Sequence, residues 1–202
     1  MSKIKICGLS RPCDIEYVNE AKPDFCGFII NVPKSRRNVS PDTVRQLVKA
    51  LSPEIKPVGV FVNAPIEEIT ALVQDGTLSY VQLHGQEDEA YIAVLGQHIQ
   101  VPIIQAFKIT CPEDAARAEA SSADYILLDN GSGGTGKTFD WAHLSSVTRP
   151  YILAGGLSPD NLQQAVSQLS PWGVDLSSGV ETDGYKDREK ILAAVHAVRP
   201  SS

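Results

Sequence analysis

The sequence predicts an α/β protein folded as a single (β/α)8 TIM barrel, and three observations carry that expectation. Eight short apolar runs rich in β-branched and aromatic residues recur along the 202 residues, and helix-spaced segments lie between them. Each strand-plus-helix unit takes roughly 25 residues, the size expected of parallel strands joined by helical crossovers. The first run is not followed by Gly-x-Gly-x-x-Gly, and eight strands in a chain this short leave little room for the connections of a doubly wound open sheet.

The strand candidates are Ile4 to Cys7, Phe25 to Ile30, Pro57 to Val62, Tyr80 to Leu83, Ile103 to Phe107, Tyr125 to Leu128, Tyr151 to Leu153 and Gly173 to Leu176. Helices are expected over Pro41 to Leu51, Pro65 to Gln74, Glu87 to Gln97, Pro159 to Leu169 and Asp187 to Val198. Two of them open on Ser-Pro, at Ser40-Pro41 and Ser158-Pro159, where the serine caps and the proline fits the first turn. The connections after strands five (Cys111 to Ala120) and six (Trp141 to Val147) look poor in helix and are expected to be irregular. With 43% hydrophobic residues the chain can fill one substantial core, so residues 1–202 are expected to form one catalytic domain.

A net charge of -6 and a pI near 5.2 argue against nucleic acid as a partner. The one basic run, Lys34 to Arg37, suits a small anion better than a polyanion. The amino terminus, MSKIKICGLS, lacks the layout of an export signal, and no window offers about 18 consecutive apolar residues. A cytoplasmic protein with no membrane partner is therefore expected, with no feature choosing between monomer and homodimer. Cys7, Cys13, Cys26 and Cys111 form no CxxC pair and are expected to be free thiols. The scattered His84, His98, His143 and His196 suggest no metal site.

Active sites of this fold form at the carboxyl ends of the strands, which directs attention to Cys7-Gly8, Lys34 to Arg37, Asn63, His84-Gly85, Lys108, Asp129, Gly155-Gly156 and Ser177-Ser178-Gly179. Residues two apart share a face, so an inward Cys7 implies an inward Lys5. Lys5 and Asp175 are expected to meet inside the barrel within about 6 Å. The turns LAGGLSPDN and DLSSGVE, after strands seven and eight, suit a phosphate. Glycines let backbone N–H groups approach an anion, and a helix N-terminus adds a favourable field. Alone, either turn is an ordinary tight turn; together at adjacent strand ends they point to Gly155, Gly156, Ser177, Ser178 and Gly179.

Residues 131–138 match the nucleotide-binding pattern GxxxxGK[ST], with Gly131, Lys137 and Thr138 in place, so a P-loop nucleotidase is the rival from another class. Its surroundings fit poorly. The following helix would be broken by Pro150, no apolar run ending in Asp follows to hold magnesium, and Asp129 would oppose a polyphosphate.

The segments KICGL (5–9), PKSRRNVSP (33–41), GVFVN (59–63), VQLHG (81–85), LLD (127–129), GGTGKTFDW (133–141), LAGGLSPDN (153–161) and VDLSSGVE (174–181) together resemble the phosphoribosylanthranilate isomerase family. The resemblance runs through nearly the whole chain in order, and KICG and GKTFDW are its most specific pieces. It implies an Amadori rearrangement of N-(5-phosphoribosyl)anthranilate to 1-(2-carboxyphenylamino)-1-deoxyribulose 5-phosphate in tryptophan biosynthesis, without cofactor or metal. The alternative within the fold is another sugar-phosphate isomerase or lyase.

The resemblance further implies Cys7 as general base and Asp129 as general acid. Asp129 has to arrive protonated, and Cys7 has to ionise more readily than a free thiol at about 8.5, with Lys5 helping. Read without the resemblance, a buried cysteine is an inert small hydrophobe and an aspartate ending a strand is a turn residue. Arg37 is assigned to the anthranilate carboxylate, since a guanidinium binds a carboxylate at two points, and Arg36 to the variable position beside it. Gly8 and His84 complete the expected pocket, with a hydrogen-bonding structural role as the other reading of His84.

Overall fold

The computed structural model describes residues 2–129, 144 and 147–199. Eight parallel strands close on themselves: β1 (Lys3–Cys7), β2 (Phe25–Ile30), β3 (Lys56–Phe61), β4 (Tyr80–Leu83), β5 (Ile103–Lys108), β6 (Tyr125–Asp129), β7 (Tyr151–Ala154) and β8 (Gly173–Leu176). Each pairs with its neighbours in sequence order, and β8 pairs with β1 to complete the barrel. The expected strands are thus all present, with ends displaced by at most one residue.

Period-two alternation divides the apolar side chains into two layers. Phe25, Val58, Ile104, Leu127, Ile152 and Ala154 point into the barrel, whereas Ile4, Ile6, Phe28, Phe61, Val81, Ile126 and Leu128 face the surrounding helices. The amino-terminal end is plugged by aromatic rings: Phe25 meets Tyr80 edge-on at 5.1 Å, and Tyr125 lies against Trp172 at 4.6 Å. With that end filled, the cavity opens at the opposite, carboxyl end of the strands.

Seven α-helices lie among the described residues: α1 (Pro12–Ala21), α2 (Pro41–Lys49), α3 (Ile66–Gln74), α4 (Glu89–His98), α5 (Pro112–Glu119), α6 (Pro159–Leu169) and α7 (Arg188–Val198). Ser40 Oγ accepts the Thr43 amide, and Ser158 forms a reciprocal cap with Asn161, as the Ser-Pro starts suggest. Helix α4 begins two residues later than expected. Asp88 caps it through the Tyr91 amide, while the Glu87 carboxylate accepts N–H bonds from Asn63 (2.6 Å) and Gly85 (2.8 Å), pinning the β3 and β4 loops together.

One expectation is corrected: the connection after β5 is a regular helix, α5. Its start is organised by Asp114, whose carboxylate accepts the Thr110 amide (2.8 Å), the Thr110 hydroxyl (2.7 Å) and the Cys111 amide (3.2 Å). Its buried face consists of Ala115 and Ala118, residues of high helix propensity whose small size hides the apolar stripe from a hydrophobicity reading. Most of the connection after β6 lies outside the described residues, as does the P-loop-like segment 131–138. Among the described residues, no helix is long and apolar enough to cross a membrane.

Candidate active site

At the carboxyl end of the strands a cavity of about 380 Å³ is lined by Cys7, Ser35, Arg37, His84, Asp129, Gly155, Gly156, Asp175, Ser177 and Ser178, with Ile29, Val32, Val60, Val62 and Leu157 as apolar wall. Eight of the ten expected site residues thus converge on it, and the other two, Gly8 and Gly179, support the cavity from behind.

Cys7 ends β1 and shares the inward face with Lys5. Lys5 is buried and binds both oxygens of Asp175, at 3.0 and 3.1 Å, as the parity of β1 and β8 requires. Burial opposes the Lys5 charge, but Asp175 and then Cys7 outweigh it and hold the lysine's pKa above its ordinary value. Room for both side chains comes from Gly27, in register with Cys7 on β2. A Cβ there would stand 2.7 Å from Cys7 Sγ and 3.1 Å from Lys5 Nζ.

The expectation that Cys7 ionises more readily than a free thiol is corrected. Burial pushes the Cys7 thiol up, and Lys5 only partly offsets it. Burial is the main reason; Lys5 still favours the thiolate, but the Asp175 carboxylate that holds the lysine at two points opposes it.

Asp129 ends β6 on the same inward face as Leu127. His84 Nε2 lies 3.9 Å from Asp129 Oδ2, within ion-pair range but longer than a hydrogen bond. The Gln82 amide meets His84 Nδ1 at 3.0 Å and fixes the plane of the ring. Both readings of His84, cavity wall and hydrogen-bonding residue, are therefore realised in one side chain.

The loop after β2 separates its two arginines. Arg37 lines the cavity, whereas the Arg36 side chain is 62% exposed. Arg37 Nε and Nη2 donate to the two oxygens of Glu181 at 2.6 and 2.8 Å. Glu181 holds Arg37 above the ordinary arginine value. The guanidinium stem lies over Gly8, whose backbone is left-handed (φ +83°), and a Cβ there would fall 2.4 Å from Arg37 Cδ. Glu181 and the buried Lys186 that pairs with it at 2.7 Å escape a reading of the sequence. Glu181 closes the VDLSSGVE segment, but its partners lie 144 and 5 positions away, distances at which spacing gives no signal.

Gly155 (φ +87°) and Gly156 (φ +66°) adopt conformations that favour glycine, and they line the cavity together with Ser177 and Ser178. Gly179 has a different use. A Cβ on it would lie 1.9 Å from the Leu157 carbonyl oxygen, so the absent side chain lets the β7 and β8 turns touch. Helix α6 starts immediately behind this contact, at Pro159. Among the described residues, no group of three or more His, Cys, Asp or Glu side chains is arranged to hold a metal ion.

Comparison with known proteins places this cavity in context. Residues 4–197 match the family model described as N-(5′-phosphoribosyl)anthranilate (PRA) isomerase. The chain belongs to the phosphoribosylanthranilate isomerase family. The isomerase of Endomicrobium trichonymphae is 45% identical over 203 residues, covering 98% of this chain and 99% of that one. The crystal structure of phosphoribosyl anthranilate isomerase from Thermotoga maritima superposes with a TM-score of 0.88 at 33% identity, covering all of both chains. A crystal structure of phosphoribosyl anthranilate isomerase in complex with reduced 1-(o-carboxyphenylamino)-1-deoxyribulose 5-phosphate gives a TM-score of 0.85 at 32% identity and covers all of both chains. The fold is accordingly the TIM barrel of this family, and the enzyme is an aldose–ketose isomerase of tryptophan biosynthesis that acts on a small-molecule substrate. The nucleotidase reading of residues 131–138 gives way to this assignment.

Proposed function

We propose that the cavity binds N-(5-phosphoribosyl)anthranilate and carries its Amadori rearrangement with Cys7 as general base and Asp129 as general acid. The observation that carries the reading is the convergence of Cys7, Asp129, Arg37 and the two Gly/Ser turns on one cavity. The phosphate sits at Gly155, Gly156, Ser177 and Ser178, with Gly179 holding the turns together. The anthranilate carboxylate meets Arg37, its ring lies against Ile29, Val60 and Val62, and Gly8 and His84 shape the remainder of the pocket. The relative solved with a reduced carboxyphenylamino deoxyribulose phosphate supports a ligand of this size and chemistry.

Asp129 delivers a proton to the furanose ring oxygen as the C1′–O bond breaks. The anthranilate nitrogen lone pair then forms the C1′=N⁺ bond of a Schiff base. Cys7 as thiolate removes the C2′ proton. The C–H pair becomes the C1′=C2′ bond, and the C1′=N⁺ pair returns to nitrogen, giving an enolamine. Protonation of C1′ and loss of the 2′-hydroxyl proton yield the ketone. Two protons are added, at the ring oxygen and C1′, and two are removed, from C2′ and the 2′-hydroxyl, so the isomerisation needs no external oxidant or reductant. Because burial raises the Cys7 thiol, the thiolate is a minor species near neutrality but a strong base when formed. The four free cysteines fit a reducing, cytoplasmic setting.

The test is the loss of the substrate's anthranilate fluorescence on adding the protein, in the wild type and in Arg37→Ala. Turnover by the wild type, with KM raised about 10-fold or more by Arg37→Ala and kcat little changed, supports the assignment of a uniformly binding carboxylate contact. An unchanged KM in that variant removes Arg37 from the site.

A further inference from the structure

We propose that Glu181 is a positioning residue for the carboxylate end of the substrate and acts through Arg37. The inference rests on the assignment of Arg37 to that carboxylate and adds the group that aims it.

A guanidinium has two forks able to grip a carboxylate: the side fork of Nε with Nη2, and the end fork of Nη1 with the other Nη2 hydrogen. Glu181 fills the side fork with two bonds, 2.6 and 2.8 Å long. The guanidinium is planar, so occupation of the side fork fixes the direction of the end fork, which is the one left for a ligand. Without Glu181, the long arginine side chain would sample several rotamers, and a bound carboxylate would have to order it.

Glu181 is itself immobile. Its side chain is only 4% exposed, it accepts from Lys186 Nζ at 2.7 Å, and Arg36 Nη2 reaches its second oxygen at 3.1 Å. Lys186 also donates to the Ser177 carbonyl at 2.9 Å, which ties the arrangement to the phosphate turn. The short antiparallel pair Glu181–Thr182 with Tyr185–Lys186 sets the two side chains beside each other. One carboxylate thereby links the loop after β2 to the turn after β8, fixing the distance between the two anion-binding ends of the cavity. Gly8 contributes by leaving space for the Arg37 stem, so the arginine is held from below and from the side. A carboxylate buried for its own contribution to stability would need no such exact match of two parallel bonds to a cavity-lining arginine.

The test is steady-state kinetics with N-(5-phosphoribosyl)anthranilate on Glu181→Gln, Arg37→Ala and the double variant. Glu181→Gln is expected to raise KM about 10-fold with kcat within about 3-fold, and to add less than about 2-fold to KM once Arg37 is already alanine. An equal KM factor in both backgrounds, or an unchanged KM in Glu181→Gln, overturns the inference. Should the glutamine variant not fold, Glu181→Asp keeps the charge that Lys186 needs while retracting the fork. It is expected to raise KM in the Arg37 background only, and a KM equal to wild type overturns the inference. An unchanged KM in Arg37→Ala sinks the carboxylate assignment itself, whereas a raised KM there beside an unaffected Glu181 variant sinks only the positioning role.

Discussion

Cys7 and Gly27 are partners across β1 and β2, and the thiol occupies the space a side chain at Gly27 would need: a Cβ would lie 2.7 Å from the sulfur. Gly27→Ala must therefore displace Cys7, Lys5 or the strand. The expected result is a loss of about 1–3 kcal/mol of stability, the usual range for overpacking, together with a fall in kcat. Thermal unfolding and the fluorescence assay check the two effects, and wild-type kcat in a stable alanine variant would contradict the packing argument.

The raised Cys7 thiol has a consequence for pH dependence. A general base works when deprotonated, so kcat/KM, which reports the free enzyme, falls as pH drops below the thiol's pKa. Burial places that pKa above the ordinary thiol range. The ascending limb should therefore still be rising at pH 9, and Lys5→Met should move it higher, since Lys5 favours the thiolate. A limb that levels off below pH 8 would contradict this.

Carboxylates govern the acid side of stability. Thr110, through its hydroxyl and its amide, holds Asp114 well below the usual carboxylate range, and Arg37 and Lys186 hold Glu181 below 4.5 against its burial. A lowered folded-state pKa gives stability that is present above the unfolded value and is lost as pH falls through the folded one. Unfolding free energy is thus expected to be flat with respect to these groups above pH 5 and to decline below about 4.5. Asp114→Ala should cost about 0.5–2 kcal/mol as a lost helix-start cap and flatten part of that decline. Denaturant titrations at pH 3.5 and 7 measure both.

Gly179 and Gly96 form a contrasting pair. A Cβ on Gly179 would collide with the Leu157 carbonyl at 1.9 Å, whereas one on Gly96, within α4, meets nothing within 4 Å. Gly179→Ala is expected to open the contact between the phosphate turns, raising KM and the inhibition constant of inorganic phosphate about 10-fold or more. Gly96→Ala should stabilise the enzyme by about 0.4–1 kcal/mol with unchanged kinetics. Equal phosphate inhibition in the two variants would contradict the role given to Gly179.

The barrel was legible in the sequence because its strands carry two signals at once: apolar runs for the layer under the helices, and a period of two that separates Cys7, Asp129, Asp175 and Ser177 onto the cavity face. The Lys5–Asp175 pair followed from counting alone. Helix α5 was hidden because alanine forms its buried stripe. Glu181, Lys186 and Gly27 were hidden for another reason: their value lies in contacts between distant segments, with Arg37, with Ser177 and with Cys7. The ionisation of Cys7 differs from the expectation because the sequence shows the nearby lysine and its Asp175 partner but not the depth of burial, which is the largest cause of the raised thiol.

The pairing of Cys7 and Asp129 as base and acid is tested most directly by single-turnover rates at saturating substrate in Cys7→Ala and Asp129→Asn, with inhibition by inorganic phosphate followed alongside. Each substitution should slow the chemical step by about 10² or more while leaving phosphate inhibition and folding as in the wild type. A rate within about 3-fold of wild type in either variant would remove that residue from the chemistry and contradict the mechanism.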